Sequence, residues 1–165
     1  MIFAGQHKAV DPVDRDSFPA IDLCCPGQDD PHRHVQMVTT FLLPRFRSAP
    51  DMVVVQGGTS SALGGALAAF MARVPVAHVE AGIRTRDRTL DLREEEYRTA
   101  IEADADLLFA PTELAASNLR AERVPGEIYV TGHIDTAFGS GHAAARIAAI
   151  IHGWLEERSL TRRLA

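Results

Sequence analysis

Residues 76–85 read Val76-Ala77-His78-Val79-Glu80-Ala81-Gly82-Ile83-Arg84-Thr85, an apolar strand followed at once by polar side chains. The apolar run predicts a buried β-strand, and the residues after it predict a turn at its carboxyl end. In an open α/β sheet, ligands bind in the crevice outside the carboxyl ends of the parallel strands. This segment therefore predicts a parallel sheet with a ligand site at that edge, where Glu80 is a candidate acid or base.

On both sides of this segment, short apolar runs alternate with longer amphipathic stretches. This pattern is typical of a parallel sheet covered by crossover helices. The β-branched run Val53-Val54-Val55 predicts a central strand buried on both faces. We expect one Rossmann-like α/β domain over residues 1–157 and a polar tail over 158–165. Strands are predicted at 1–4, 21–24, 52–55, 76–79, 107–110 and 128–130, and helices near 32–47, 60–72, 94–104, 113–123 and 142–157.

The composition is that of a single soluble domain. A chain of 165 residues, 46% of them hydrophobic and 24% charged, can bury one core. Its net charge of −5 disfavours nucleic acid as a partner, because binding the phosphate backbone needs clustered Lys and Arg. The chain contains no apolar run near the roughly 20 residues that span a bilayer, and its amino terminus lacks the pattern of a signal peptide. We therefore expect a cytoplasmic protein that binds neither nucleic acid nor membrane.

The two cysteines, Cys24 and Cys25, are adjacent at a predicted strand end. Neighbouring side chains of a strand point to opposite faces, so this pair does not readily form a disulfide. Free thiols in a reducing compartment are the simpler interpretation. Because no His or second Cys pair nearby has the spacing of metal ligands, we predict no metal site.

A glycine-rich turn, Gln56-Gly57-Gly58-Thr59, follows the predicted strand 52–55 and opens a helix. Glycines let a ligand approach the backbone closely, while Thr59 can cap a helix whose first amides attract anions. A simple tight turn with a capped helix explains the same residues. The turn is therefore a candidate ligand site with a structural alternative.

Several separated motifs resemble those of the UDP-N-acetylglucosamine 2-epimerase family, in the family's order. The segment 78–85 resembles the HVEAGLRT signature, and Gln6-His7 resembles the end of the GQH turn. The match continues with 56–59 (HGDT turn), 94–98 (EExNR helix), 111–113 with 118–119 (PTE…NL) and 130–132 (the start of the last turn of the N-terminal domain).

The resemblance implies the N-terminal half of a GT-B fold, in which a UDP-sugar lies between two Rossmann-like domains. It implies that a first strand should precede Met1 and a second domain should follow Ala165. In a family-like strand order, the missing strand would lie between the strands 1–4 and 52–55. Three outcomes remain open: these strands pair directly, a partner supplies the strand, or the chain is a fragment of marginal stability.

The resemblance also implies the chemistry. The family's reaction removes the proton at sugar C2 while UDP leaves C1, and then reverses this elimination with protonation on the other face, which requires two proton carriers. Glu80 and Glu94 match the positions implicated in this work. The matching substrate-binding residues are Gln6, His7, Gly57, Gly58, Thr59, His78, Arg84 and Arg98. The elimination and re-addition of UDP imply no metal and no cofactor.

Each of these residues also has a structural interpretation. The acidic run that begins at Glu94 is favourable in the first turn of any helix, and Arg98 can form an exposed i,i+4 pair with Glu94. Arg84 can pair with Asp87 or Glu94 instead of a phosphate. His78, inside a strand, can be a hydrogen-bonded core histidine, and Gln6 and His7 can cap a loop.

Departures from the family's pattern include three in or beside the HGDT and EExNR motifs. Gly58 replaces the aspartate of HGDT, Tyr97 the asparagine of EExNR, and Arg93 the proline before it. The preferred function is a non-hydrolysing epimerase that interconverts UDP-N-acetylglucosamine and UDP-N-acetylmannosamine for cell-surface polysaccharide synthesis. The alternatives are a hydrolysing epimerase, which releases N-acetylmannosamine and UDP, and a catalytically dead binding module. Because Gly58 cannot exchange a proton, we predict that this chain alone is inactive, and we expect it to form a homodimer.

Overall fold

A computed structural model of the chain describes residues 2–3, 21–23, 30–48, 50–85, 93–134 and 142–164. Gln6, His7, Cys24 and Cys25 lie outside the described residues, and so does Asp87, one of the two partners considered for Arg84.

Strands and helices alternate along the described chain. They are β1 (Ile2–Phe3), β2 (Ile21–Asp22), α1 (Pro31–Leu42), a 3-10 helix (Arg45–Ser48), β3 (Val53–Gln56), α2 (Ser60–Ala72), β4 (Val76–Val79), α3 (Arg93–Glu102), β5 (Leu107–Ala110), α4 (Glu113–Glu122), β6 (Glu127–Val130) and α5 (Ala143–Leu164). All predicted elements are present, and the α/β fold class is confirmed. Helix α5 continues through the predicted polar tail to Leu164.

One predicted helix is divided in two. The sequence predicts a helix near 32–47, but α1 ends at Leu42 and a 3-10 turn follows at 45–48. Pro44 explains the break, because proline lacks the N–H that an α-helix needs and disfavours helical backbone in the residue before it. The start of α1 follows the rules for helix caps. Asp30 accepts a hydrogen bond from the His32 N–H, and Pro31 occupies the first helical position.

The sheet is parallel throughout. Strands β3, β4, β5 and β6 lie in chain order in a four-stranded sheet, whereas β1 and β2 form a separate parallel pair. The register places Gln56 beside Val79 and Val79 beside Phe109, so three strands end at one edge. The carboxyl edge of the sheet therefore gathers the residues that follow β3, β4 and β5.

Among the described strands, β3 is an edge strand, which corrects the prediction of a central one. Every residue of β4 and β5 is buried, but the side chain of Val54 on β3 is 52% exposed. The physical reason is that β3 pairs with β4 on one side and with no described strand on the other. Direct pairing of β1 with β3, the first of the three outcomes left open, is absent from the described ladders, in which β1 pairs with β2 alone.

Helices cover both faces of the four-stranded sheet. A large cluster on one face includes residues of α1, α2, α3 and α4, such as Val38, Ala66 and Leu119. On the other face, Ile147 and Trp154 of α5 pack against Leu107 and Phe109. None of the helices that the structure describes is long and apolar enough to cross a bilayer.

Candidate active site at the carboxyl edge of the sheet

Two glutamates flank one glycine turn at this edge. Gly57 has a φ of +70°, and its N–H donates a 3.0 Å hydrogen bond to the carbonyl of Val79, which joins the ends of β3 and β4. A Cβ on Gly57 would lie 3.3 Å from Oε2 of Glu80. A Cβ on the next residue, Gly58, would overlap the backbone carbonyl of Glu94. The turn thus lies against the Glu80 side chain at Gly57 and against the Glu94 backbone at Gly58. We call this set of residues the carboxyl-edge site: Gln56, Gly57, Gly58, Glu80, Glu94 and Arg98.

Glu80 has a strained backbone. Its φ of +64° lies in the left-handed region, which costs a residue with a Cβ roughly 1–2 kcal/mol. Such strain persists only where the surrounding contacts enforce it, and it is concentrated at functional sites. Its carboxylate accepts a 2.8 Å hydrogen bond from Nε2 of Gln56, a residue of the glycine turn for which the sequence predicts no role.

Glu94 and Arg98 form the helical pair that the sequence allowed. Nη2 of Arg98 lies 3.5 Å from Oε2 of Glu94, whose side chain is 70% exposed. The Arg98 side chain is only 12% exposed, and its Nε is buried with no hydrogen-bond partner among the described residues. The acidic first turn is not simply solvated, because Glu95 accepts hydrogen bonds from the N–H and hydroxyl of Thr85. The first turn of α3 is therefore fastened to the loop after β4.

His78 is a buried core histidine, as the structural alternative proposed. Its Nε2 lies 3.0 Å from the carbonyl of Gly57, which can only accept, so Nε2 carries the proton. Burial, together with the positive charges of Arg98 and Arg84 and against the hydrogen bond to Gly57, lowers the pKa of His78 from 6.5 to about 4. At neutral pH, His78 is uncharged, and its hydrogen bond to the Gly57 carbonyl supports the glycine turn.

Arg84 is engaged by two carboxylates. It donates to Glu122 through Nε (3.0 Å) and Nη2 (2.6 Å), and Nη2 also donates to Glu102. Burial alone would lower the pKa of Arg84, but the hydrogen bonds to Glu122 and Glu102 raise it above its ordinary value. These contacts support the structural alternative, although with different partners from Asp87 or Glu94. Arg84 lies between the last residues of α3 and α4, which it ties together.

The remaining predicted site residues are Thr59, Gln6 and His7. Thr59 caps α2, because its hydroxyl accepts a 3.1 Å hydrogen bond from the Ala62 N–H. Gln6 and His7 are outside the described residues, so their predicted ligand contacts remain predictions. In the part of the chain that the structure describes, no group of three or more His, Cys, Asp or Glu side chains could hold a metal ion.

Sequence reasoning missed Glu102, the last residue of α3. It is fully buried, and its Oε1 accepts a 2.6 Å hydrogen bond from the Gly82 N–H. Burial raises the pKa of Glu102, while Arg84 and the Gly82 N–H oppose the rise. Its position four residues after Arg98, on the same helix face, was the available signal. Asn118 was quoted in a motif but given no role, and its amide donates to the Gly82 carbonyl at 2.9 Å.

A cavity of about 680 Å³ lies at the opposite edge of the sheet, near the starts of β5 and β6. Its walls include Trp154 and Arg158, whose guanidinium stacks 4.6 Å from the indole and lies 3.8 Å from the carboxylate of Asp106. Arg158 is thus held by Trp154 and Asp106, and this cavity contains none of the residues of the carboxyl-edge site.

The model of the family described as UDP-N-acetylglucosamine 2-epimerase matches residues 1–137. This chain belongs to that family. The match covers β1 to β6 and therefore every residue of the carboxyl-edge site. The resemblance drawn from the motifs is confirmed.

Curated relatives share part of the sequence, and solved structures share the fold. The UDP-N-acetylglucosamine 2-epimerase of Salmonella typhimurium is 47% identical over 85 residues, which are 51% of this chain and 23% of that protein. The Methanocaldococcus jannaschii epimerase in complex with UDP-GlcNAc and UDP matches with a TM-score of 0.66 and 32% identity over 80% of this chain and 38% of that one. The Neisseria meningitidis epimerase bound to UDP-GlcNAc matches with a TM-score of 0.62 and 31% identity over 68% of this chain and 31% of that one. The matched region spans about a quarter of the curated epimerases.

Proposed function

We propose that the carboxyl-edge site is the N-terminal half of a UDP-N-acetylglucosamine 2-epimerase active site, and that it binds UDP-N-acetylglucosamine or UDP. The strained backbone of Glu80 beside the glycine turn is the observation that carries this proposal. Family membership and two relatives whose structures hold UDP-GlcNAc support the same ligand.

The groups at this site suit a diphosphate and a sugar. Gly57 carries no side chain, so a phosphate can approach the turn closely at this residue, whereas the Glu94 backbone fills the corresponding space at Gly58. The unpartnered Nε of Arg98 is a donor beside the same turn, and guanidinium groups bind phosphate oxygens well. We leave Arg84 out of the proposed phosphate contacts because Glu102 and Glu122 already occupy it.

The reaction that we propose for the whole enzyme is non-hydrolysing. One carboxylate takes the proton from sugar C2 as UDP leaves C1 with the bonding electrons. The other group, protonated as a carboxylic acid, gives its proton to the opposite face of C2 as UDP adds to C1 again, and proton exchange with water restores both groups. Glu80 and Glu94 are the proposed carriers because they flank one turn. Hydrolysis of the intermediate would instead release N-acetylmannosamine and UDP, and product analysis distinguishes the two reactions.

For this chain alone, we propose binding without turnover. Gly58 supplies no ionisable group to the site, and the backbone of Glu94 fills the space that a side chain at position 58 would need. Loss of one general acid or base typically lowers a rate by roughly a hundred- to ten-thousand-fold. A silent binding module is therefore the second candidate function, and the packing at Gly58 favours it.

Calorimetric titration and a turnover assay test these proposals together. We expect the 165-residue chain to bind UDP-N-acetylglucosamine without converting it, and Glu80→Gln to alter binding. The matched control is Glu113→Gln, a substitution of an exposed glutamate on α4, which should bind as the original chain does. Conversion of the sugar nucleotide by this chain would refute the silent module, and absence of binding would refute the proposed ligand.

We also propose that the chain forms a homodimer and is cytoplasmic, in keeping with the family and the expectations from composition. Light scattering coupled to size-exclusion chromatography tests the dimer, and a monomer at micromolar concentration would contradict it.

A further inference from the structure

We propose that Glu102 is a positioning residue, which holds in place the turn that contains Glu80. Helix α3 therefore positions both proposed catalytic glutamates. Helix α3 carries Glu94 in its first turn and Glu102 as its last residue. The first flanks the glycine turn directly. The second reaches the loop after β4, where its Oε1 accepts the Gly82 N–H at 2.6 Å.

The loop after β4 needs such a contact because its backbone is unusual. Glu80 and Gly82 have φ values of +64° and +79°. The Ala81 N–H donates to the Phe109 carbonyl at 3.1 Å, and Asn118 donates to the Gly82 carbonyl at 2.9 Å. A Cβ on Gly82 would overlap the backbone carbonyl of Ala115, so the loop is wedged against α4. Glu102 completes this set of contacts, and the strain at Glu80 is maintained by them together.

Glu102 also lies close to His78, which contacts the glycine turn. Its Oε1 lies 3.6 Å from Nδ1 of His78, whose other ring nitrogen contacts the Gly57 carbonyl. The charged and titratable groups that face Glu102 are His78, Arg84 and, beyond Arg84, Glu122. A fully buried carboxylate is costly unless its partners compensate it. The partners that compensate it are the Gly82 N–H and the Arg84 guanidinium, and both lie in the loop after β4.

The test compares Glu102→Gln with Glu122→Gln in the 165-residue chain. Both glutamates bind Arg84, but only Glu102 contacts Gly82 and His78. The first measurement is amide hydrogen exchange of Gly82, which requires no ligand. The second is the Kd for UDP, which rests on the proposed function. Glu102→Gln should speed Gly82 exchange and raise the Kd by roughly tenfold each, because a hydrogen bond to a charged acceptor is weakened. Glu122→Gln should change neither.

Equal behaviour of the two variants would overturn the proposal, because Glu102 would then serve only to hold Arg84. If the original chain fails to bind UDP, the proposed function fails, while the exchange of Gly82 still decides the role of Glu102. If Glu102→Gln does not fold, NMR of the original chain decides it instead. The amide signal of Gly82 should then shift as the Glu102 carboxyl titrates, and a signal that stays constant through that titration would overturn the proposal.

Discussion

The backbone of Gly58 lies directly against the backbone of Glu94. A Cβ on Gly58 would overlap the Glu94 carbonyl oxygen, and would lie 2.8 Å from the carbonyl carbon and 3.0 Å from Cγ of Arg98. Helix α3 therefore rests on the glycine turn with no side chain between them. This contact places the first turn of α3 against the glycine turn, so the absence of a side chain at position 58 has a structural cause as well as a chemical consequence.

A methyl group at position 58 should therefore destabilise the protein. We expect Gly58→Ala to lower the free energy of unfolding by roughly 1–3 kcal/mol, as overpacking does elsewhere. The control is Gly153→Ala on α5, where a Cβ would meet nothing within 4 Å. That change should raise the free energy of unfolding by roughly 0.5–1 kcal/mol, because alanine is the better helix former. Urea unfolding measures both, and equal effects of the two substitutions would contradict the close contact at Gly58.

Relief of the strain at Glu80 should separate stability from ligand binding. Glycine adopts positive φ without a Cβ penalty, so Glu80→Gly should raise the free energy of unfolding by roughly 0.5–1 kcal/mol. We expect the same variant to weaken binding of UDP-N-acetylglucosamine in calorimetry. This combination is typical of a residue whose conformation is kept for function.

The control for this prediction is Arg123→Gly. Arg123 ends α4 with a φ of +56°, close to the +64° of Glu80, but it belongs to a helix cap rather than to the carboxyl-edge site. It should gain similar stability, since glycine is the preferred residue at such caps, and should bind the ligand as before. If Glu80→Gly binds the sugar nucleotide as tightly as Arg123→Gly does, Glu80 does not contact it.

Sequence reasoning succeeded where a local pattern decides the structure. The strand predicted at 107–110 and the helix predicted at 60–72 have the bounds that the structure gives to β5 and α2. An apolar run between polar turns and a threonine cap before a helix are both local signals. The pairing of Arg98 with Glu94 was predictable for the same reason, because residues four apart meet on any helix.

It failed where the outcome depends on neighbours distant in sequence. The run 53–55 has the composition of a central strand, but burial of Val54 requires a second neighbouring strand, and the sequence of the run does not reveal whether one is present. The partners of Arg84 lie 18 and 38 residues away, so the packing of α3 and α4 against the sheet had to be known first. Glu102 was missed because its buried position depends on that same packing.

The buried, neutral state of His78 predicts a dependence of stability on pH. Its pKa is lowered to about 4, whereas an exposed histidine has a pKa near 6.5. Between these values the unfolded chain binds a proton at this position and the folded chain does not, so the folded state loses stability as pH falls through this window. The contribution is fully present above pH 6.5, and up to about 3 kcal/mol of it is lost by pH 4.

Unfolding in urea at several pH values tests this contribution. We expect His78→Gln to flatten the fall in the free energy of unfolding between about pH 6.5 and 4. The control is His152→Gln, because the side chain of His152 is 74% exposed on α5. It should leave the pH dependence of the original chain nearly unchanged. A steep fall that persists in His78→Gln would assign the dependence to other groups.

Loss of Arg84 should lower the free energy of unfolding much more than loss of its outer partner, Glu122. Arg84→Gln leaves Glu102, whose side chain is 1% exposed, as a buried carboxylate without its guanidinium, and removal of one member of a buried pair costs roughly 3–5 kcal/mol. Glu122→Gln removes the outer partner, which is 38% exposed, and should cost less than about 1 kcal/mol because water replaces it. Urea unfolding at neutral pH compares the two free energies. At lower pH the difference in unfolding free energy between the two variants should become smaller. Burial raises the pKa of Glu102, and protonation of its carboxyl removes the uncompensated charge. If the two variants lose equal stability at neutral pH, Arg84 does not compensate a buried charge on Glu102.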